Sequence, residues 1–208
     1  SPLTISQRLG PTGFDPDRDV TPVMSVMVTP VLVLGTPALR GNALADVVAA
    51  ARLSPGAMRW ATSGVGTTGH RVLEEVRAAA GVDITHIPYK GGGQQIADAL
   101  AGEFEVLSSN AGELQFRYVR EGRLKALAVG APVRLEALPA VPTLAEAGFP
   151  GANRSSTFGL FAPGGTAAPD ATASGGRLAE FLASNRKAWE AAANALTNRV
   201  YVANRNGN

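Results

Sequence analysis

Between Met58 and Val129 the chain repeats one pattern: a short apolar segment, a loop of glycine or small polar residues, then a segment with helical spacing. This alternation constrains the fold more than any other feature. A strand that leads into a helix rejoins its sheet by a right-handed crossover, so the pattern predicts a mainly parallel sheet with helices on both faces, an α/β fold. The first unit is Met58 to Thr62, its loop, and a helix over 69–80. The second is Asp83 to Pro88, the loop Tyr89-Lys90-Gly91-Gly92-Gly93, and a helix from Gln94 to Leu100 closed by Gly102. In the third, Phe104 to Leu107 is the strand, Ser108-Ser109-Asn110 the loop and Gly112 to Glu121 the helix. Leu124 to Val129 is a fourth strand.

The flanks read differently. Val23 to Leu34 is β-branched and apolar without helical period, which predicts one long buried strand or two collinear ones broken at Pro30. Asn42 is placed to cap a helix running through Leu53, ended by Ser54-Pro55-Gly56. Downstream, Pro132, Pro139, Pro142 and Pro150 frame a short helix at Thr143 to Ala147, in what reads as a crossover between lobes. Phe158 to Phe161 is a strand, Thr166 to Gly176 a small-residue linker, Arg177 to Leu196 an amphipathic helix and Arg199 to Ala203 a last strand.

Composition removes several function classes. Lys and Arg total 19 against 17 Asp and Glu, a net charge of +2, and the basic residues are scattered, so nucleic acid is not expected as a partner. There is no cysteine, hence no disulfide, thiolate metal site or cysteine nucleophile. No apolar run approaches the roughly 20 residues of a membrane-spanning helix. No signal segment precedes Ser1, so an exported chain would already have lost its signal.

The sharpest local feature is Thr62-Ser63-Gly64-Val65-Gly66-Thr67-Thr68-Gly69-His70, between a strand and a helix. Glycines allow a tight turn, free N–H groups at a helix start make an anion seat, and the hydroxyls of Ser63, Thr67 and Thr68 add donors. The competing structural reading is a glycine turn that only lets helix and strand pack closely. Gly64 to Gly69 also fits the dinucleotide pattern G-x-G-x-x-G, but the acidic residue at the required spacing, Asp83, precedes its strand instead of ending it. Two further loops, at Tyr89 to Gln94 and at Ser108 to Asn110, project from the same carboxyl edge. Asn110 offers a donor and an acceptor, or serves as a helix cap. His70 is placed to cap or pack, and His86 to sit in the core or face a lobe. Neither has a metal-ligand partner at useful spacing, and no nucleophile elbow, P-loop lysine or H-E-x-x-H helix is present. The chain therefore offers seats for an anion without an evident reactive group. It reads as a binder, not an enzyme, with no catalytic residue, cofactor or metal.

The order of Phe14 to Val20, Trp60 to His70, HIPYKGGG (86–93), GRLKALAV (122–129), LPAVPTLAEAG (138–148) and FGLFAPGGT (158–166) resembles the substrate-binding proteins of tripartite tricarboxylate transporters, the TctC or Bug family. The resemblance covers most of Phe14 to Thr166. It implies a two-lobed periplasmic-binding-protein-like fold closing on a small carboxylated metabolite, an organic acid or acidic amino acid. It also implies a periplasmic location, membrane transporter components as partners, and a working monomer. In that family one β-loop-α turn of each lobe holds the ligand carboxylate through backbone N–H groups and ordered waters. Transferred to this chain, the second-lobe turn is Ser63, Gly64, Val65, Gly66, Thr67 and Thr68, and Asn110 matches a family loop asparagine; Tyr89 and Gly91, from the neighbouring loop on the same edge, are expected to join them.

The chain also departs from the family. Ser108 and Ser109 stand where an aromatic residue and an aspartate are usual, and Thr157 where tryptophan is usual. The opening strand with its Pro-Gly-Gly turn is not found before Ser1. Arg199 to Asn208 resembles the strand after that opening, yet comes last, so the first lobe is expected to be incomplete or permuted. Residues 1–35 and 157–208 are expected to form parts of the first lobe and 36–156 the second, with hinges near Thr36 and Ser156. Two rivals remain at this point: a nucleotide-cofactor oxidoreductase using Gly64 to Gly69, and a degenerate scaffold of this fold that no longer binds.

Overall fold

A computed structural model describes Gly13 and residues 15–165. Strand β1 (Val20–Gly35) follows a single helical turn, α1 (Pro16–Asp19). After β1 come α2 (Leu44–Leu53), β2 (Arg59–Thr62), α3 (Thr68–Ala80), β3 (Thr85–Pro88), α4 (Gly92–Ala101), β4 (Val106–Asn110), α5 (Glu113–Arg120) and β5 (Lys125–Gly130). A short 3-10 turn at Pro150–Ala152 precedes β6 (Ser155–Pro163). The helix expected at 177–196 and the strand expected at 199–203 lie outside the described residues.

The sheet order is β3-β2-β4-β1-β5, and β6 also pairs with β1. β2 runs parallel to β3 and to β4. β1 is antiparallel to both β4 and β5, so β2, β3, β4 and β5 share one direction and β1 alone runs against them. The mainly parallel expectation holds, with one reversed strand inserted. β1 is continuous through Pro30.

Alternation along the strands explains why the VLVL segment of β1 has no polar face. Val31 and Val33 enter one core with Leu44, Val47, Trp60, Val72, Leu73, Val76 and Val106, under α2 and α3. Leu32 and Leu34 enter the other with Ala61, Ile96, Ala99, Phe104 and Leu107, under α4, and the half-buried Phe116 and Val119 of α5 join it. A strand covered on both faces has to be apolar throughout. Helix, sheet and helix thus form three layers.

Contacts divide the chain into two compact units, Pro30–Ser156 and the remainder on either side of it. The three layers belong to Pro30–Ser156. In the other unit, Gly164 N–H donates to Asp19 O at 2.8 Å.

Three local expectations are corrected. Ser108-Ser109-Asn110 is not a loop but the end of β4, because Val33, Leu32 and Val31 of β1 stand opposite it and supply the ladder. Asn42 does not cap α2; the Asp46 carboxylate accepts the Asn42 and Ala43 N–H groups at 2.8 and 3.0 Å and closes the first turn from within. The segment Thr143 to Ala147 is one turn, closed by Ala147 N–H on Thr143 O. Thr143 itself bridges to Val129 at the end of β5, which ties the segment to the sheet and leaves no length for a helix.

Candidate ligand-binding site

Because the strands that lead into α3, α4 and α5 are parallel, their three exits lie along one edge in the order β3, β2, β4. From β2 the chain crosses to β3 on one side; from β4 it continues to β5 on the other. The connections after β2 and β4 therefore diverge outside the carboxyl ends of these two strands. In open α/β sheets such a switch point is where ligands bind.

The β2–α3 loop is built from its two glycines. Gly64 and Gly66 have φ of +150° and +76°, conformations costly for any residue with a Cβ. The Thr67 hydroxyl donates to Gly64 O at 2.8 Å and accepts the His70 N–H at 3.3 Å, capping α3. Thr62 Oγ1 donates to Gly64 O and accepts Gly64 N–H. Gly66 N–H donates to His70 Nδ1 at 3.1 Å. The amides of Gly64 and Gly66, two expected anion donors, are thus engaged within the loop. Thr68 and Gly69 are the first two residues of α3, where the helix supplies no acceptor for their N–H groups. These amides and the helix dipole leave positive potential at the first turn of α3, with Ser63 half-buried and Val65 exposed beside it.

Gly69 was not among the expected contacts, and its position shows why glycine is needed. A Cβ there would lie 2.8 Å from the Ser108 Cβ, so α3 approaches β4 as closely as backbone permits. The close packing that the sequence offered as the structural reading of this turn is therefore present at Gly69. Ser108 is buried below, its Oγ accepting Trp60 Nε1–H at 2.7 Å and its carbonyl accepting Gln95 Nε2–H at 3.1 Å.

The second loop lies against the first. Gly91 N–H donates to Ser63 O at 3.1 Å, and Tyr89 N–H to Thr62 O at 2.9 Å. The Tyr89 side chain turns inward: its hydroxyl donates to Asp98 Oδ2 at 2.7 Å and its ring meets Phe104 edge-on. Burial, then the bond to Asp98, pushes the phenol up to about 12. Tyr89 therefore supports the edge from beneath while its hydroxyl is committed. Asn110 ends β4, its Oδ1 accepting the Ser156 hydroxyl at 2.9 Å, which turns the Nδ2 donors away from Ser156. The structure thus joins the Ser63–Thr68 and Tyr89–Gly91 loops directly and places Asn110 at the neighbouring strand end.

Sequence reasoning missed the meeting of the two histidines. His70 and His86 stack with centroids 4.2 Å apart and planes 12° from parallel. His86 Nε2 lies 2.7 Å from Thr62 Oγ1, and burial, followed by the His70 ring, holds His86 below the ordinary imidazole range. The signal was available in part: His86 is the second residue of a strand opposite Trp60, and His70 lies in the first turn of the helix leaving Thr62. Asp83 forms an ion pair with Arg77 at the start of the second unit. It precedes β3 and so lies roughly 13 Å of strand away from the loop edge. Among the described residues, no group of three His, Cys, Asp or Glu could hold a metal ion, and no helix is long and apolar enough to cross a membrane.

Comparison with known proteins gives the same lineage from sequence and from structure. BugT of Bordetella pertussis is 32% identical over 167 residues, covering 80% of this chain and 51% of that protein. A solved periplasmic transporter protein superposes with TM-score 0.73 at 32% identity, covering 82% of this chain and 56% of that one. Rpa4515 of R. palustris, solved with adipate, gives TM-score 0.70 at 33% identity over 78% of this chain and 54% of its own. MatC of Rhodopseudomonas palustris, solved with malate, gives 0.69 at 28% identity over 78% and 55%. The chain spans about half the length of these relatives. The profile of the tripartite tricarboxylate transporter family receptor, TctC, matches residues 9–179, and the chain belongs to that family.

Proposed function

We propose that this chain is the ligand-capturing part of a periplasmic receptor that delivers a small carboxylate to the membrane components of a tripartite transporter. The observation that carries this reading is the free first turn of α3 at the switch point between β2 and β4. Two amides, a helix dipole and adjacent hydroxyls there suit a single negative group. Relatives solved with adipate and with malate support a dicarboxylate as the chemical class. Backbone donors suit any carboxylate, so discrimination falls to side chains at the rim, Asn110 among them.

The lobe assignment belongs to the same proposal: the compact unit Pro30–Ser156 is the second lobe, and the strands that cross its limits, β1 and β6, carry the hinges. The receptor works as a monomer. The rival cofactor reading loses its footing on Asp83, which is paired with Arg77 at the wrong end of its strand.

Calorimetry of the full chain against mono-, di- and tricarboxylates and acidic amino acids tests the function. At least one should bind saturably and raise the melting temperature in proportion to the logarithm of its concentration. Absence of binding across the panel, with NAD(P) binding in its place, would replace the receptor reading by the oxidoreductase one.

A further inference from the structure

We propose that His70 is a positioning residue for the anion-binding loop: by holding the Gly66 amide it fixes which N–H groups of the loop face the ligand. The inference rests on the carboxylate-binding reading of that loop.

Gly66 N–H donates to His70 Nδ1 at 3.1 Å, so that nitrogen carries no proton. The ring's proton is then on Nε2, which faces Glu74 Oε1 at 3.5 Å. Thr62 Oγ1 lies 3.2 Å from Gly64 O and 2.7 Å from His86 Nε2, so one hydroxyl links the glycine to the second ring. Gly64 and Gly66 are the two points where this loop takes conformations favouring glycine. Left to themselves they are the loop's freest positions. Gly66 is tied to His70 directly and Gly64 to His86 through Thr62, while stacking holds the two rings together at 4.2 Å. Two imidazoles thus hold the two glycines.

This arrangement requires both rings to be neutral. A proton on His70 Nδ1 would remove the acceptor and set one N–H against another, and a charge on either ring opposes a charge on its neighbour. The groups acting on the pair are Glu74 and Arg77 of α3, with Thr62 of β2 and each ring on the other. Glu74 favours the charged form of His86 and Arg77 opposes it. An imidazolium at His70 thus has no acceptor for the Gly66 amide.

Heteronuclear NMR of the full unliganded chain tests the role without assuming any ligand. The expected result is a neutral His70 with its proton on Nε2, and a Gly66 amide that shifts in step with His70 as the pH is lowered. In His70→Asn, whose Oδ1 stands near the place of Nδ1 and cannot be protonated, the Gly66 amide should keep its neutral-pH position throughout. In His70→Ala it should lose protection from hydrogen exchange. With malate as probe, His70→Ala should weaken binding by about tenfold, the equivalent of one hydrogen bond, and His70→Asn should restore most of it without the acid dependence. A Gly66 amide indifferent to both the titration and the substitutions overturns the proposal. A Gly66 amide that follows His70 while no carboxylate binds leaves the positioning role standing and removes the carboxylate reading instead.

Discussion

Gly69 shows how a residue without a side chain becomes the tightest constraint in the site. Alanine is the better helix former by up to about 1 kcal/mol, and that gain works against the cost of a Cβ placed 2.8 Å from the Ser108 Cβ. Overpacking of that kind costs about 1–3 kcal/mol, and Ser108 is fixed by Trp60 and Gln95. Gly69→Ala should therefore destabilise the chain, by about 1–2 kcal/mol net, in urea unfolding; an unchanged midpoint would show that α3 can move off β4. His86 gives a second residue-scale test. Its folded value is lowered, chiefly by burial, while an unfolded histidine titrates near 6.5. Between the two values the unfolded chain holds the extra proton, so stability is full above about pH 6.5 and falls as the pH drops towards the folded value. Unfolding at a series of pH values should show that slope, and His86→Gln should flatten it. An identical slope in the variant would assign the acid sensitivity to other groups.

At the scale of elements, α2 separates what its sequence suggests from what the structure uses. Asp46 accepts two N–H groups ahead of the helix, and those two bonds, Asn42 first, hold its carboxyl below the ordinary range. Asp46→Ala should lower the melting temperature more than Asn42→Ala, measured side by side by circular dichroism; the reverse order would restore Asn42 as the cap. The strand and helix alternation was legible because apolar spacing and glycine stops are local signals, and each of the units from β2 to β5 follows them. What escaped was set by distant partners. Ser108 to Asn110 reads as a polar loop until β1, more than 70 residues upstream, is laid beside it. Thr143 reads as a helix start until Val129 pairs with it. The loop between β2 and α3 was legible as a loop, but the turning of the Gly66 amide towards His70 depends on side-chain geometry that no spacing rule contains.

In the molecule as a whole, a three-layer unit from Pro30 to Ser156 presents three strand ends along one edge, and the chain diverges between two of them. Family membership rests on residues 9–179 and the proposed position of the binding loop on the order of strands. The measurement that tests this most directly is an amide-resolved NMR titration of the full chain with malate and then adipate. Saturable shifts should centre on the Thr68 and Gly69 amides, with smaller shifts at Ser63 and Val65. Saturable binding that leaves those four amides unmoved would contradict it.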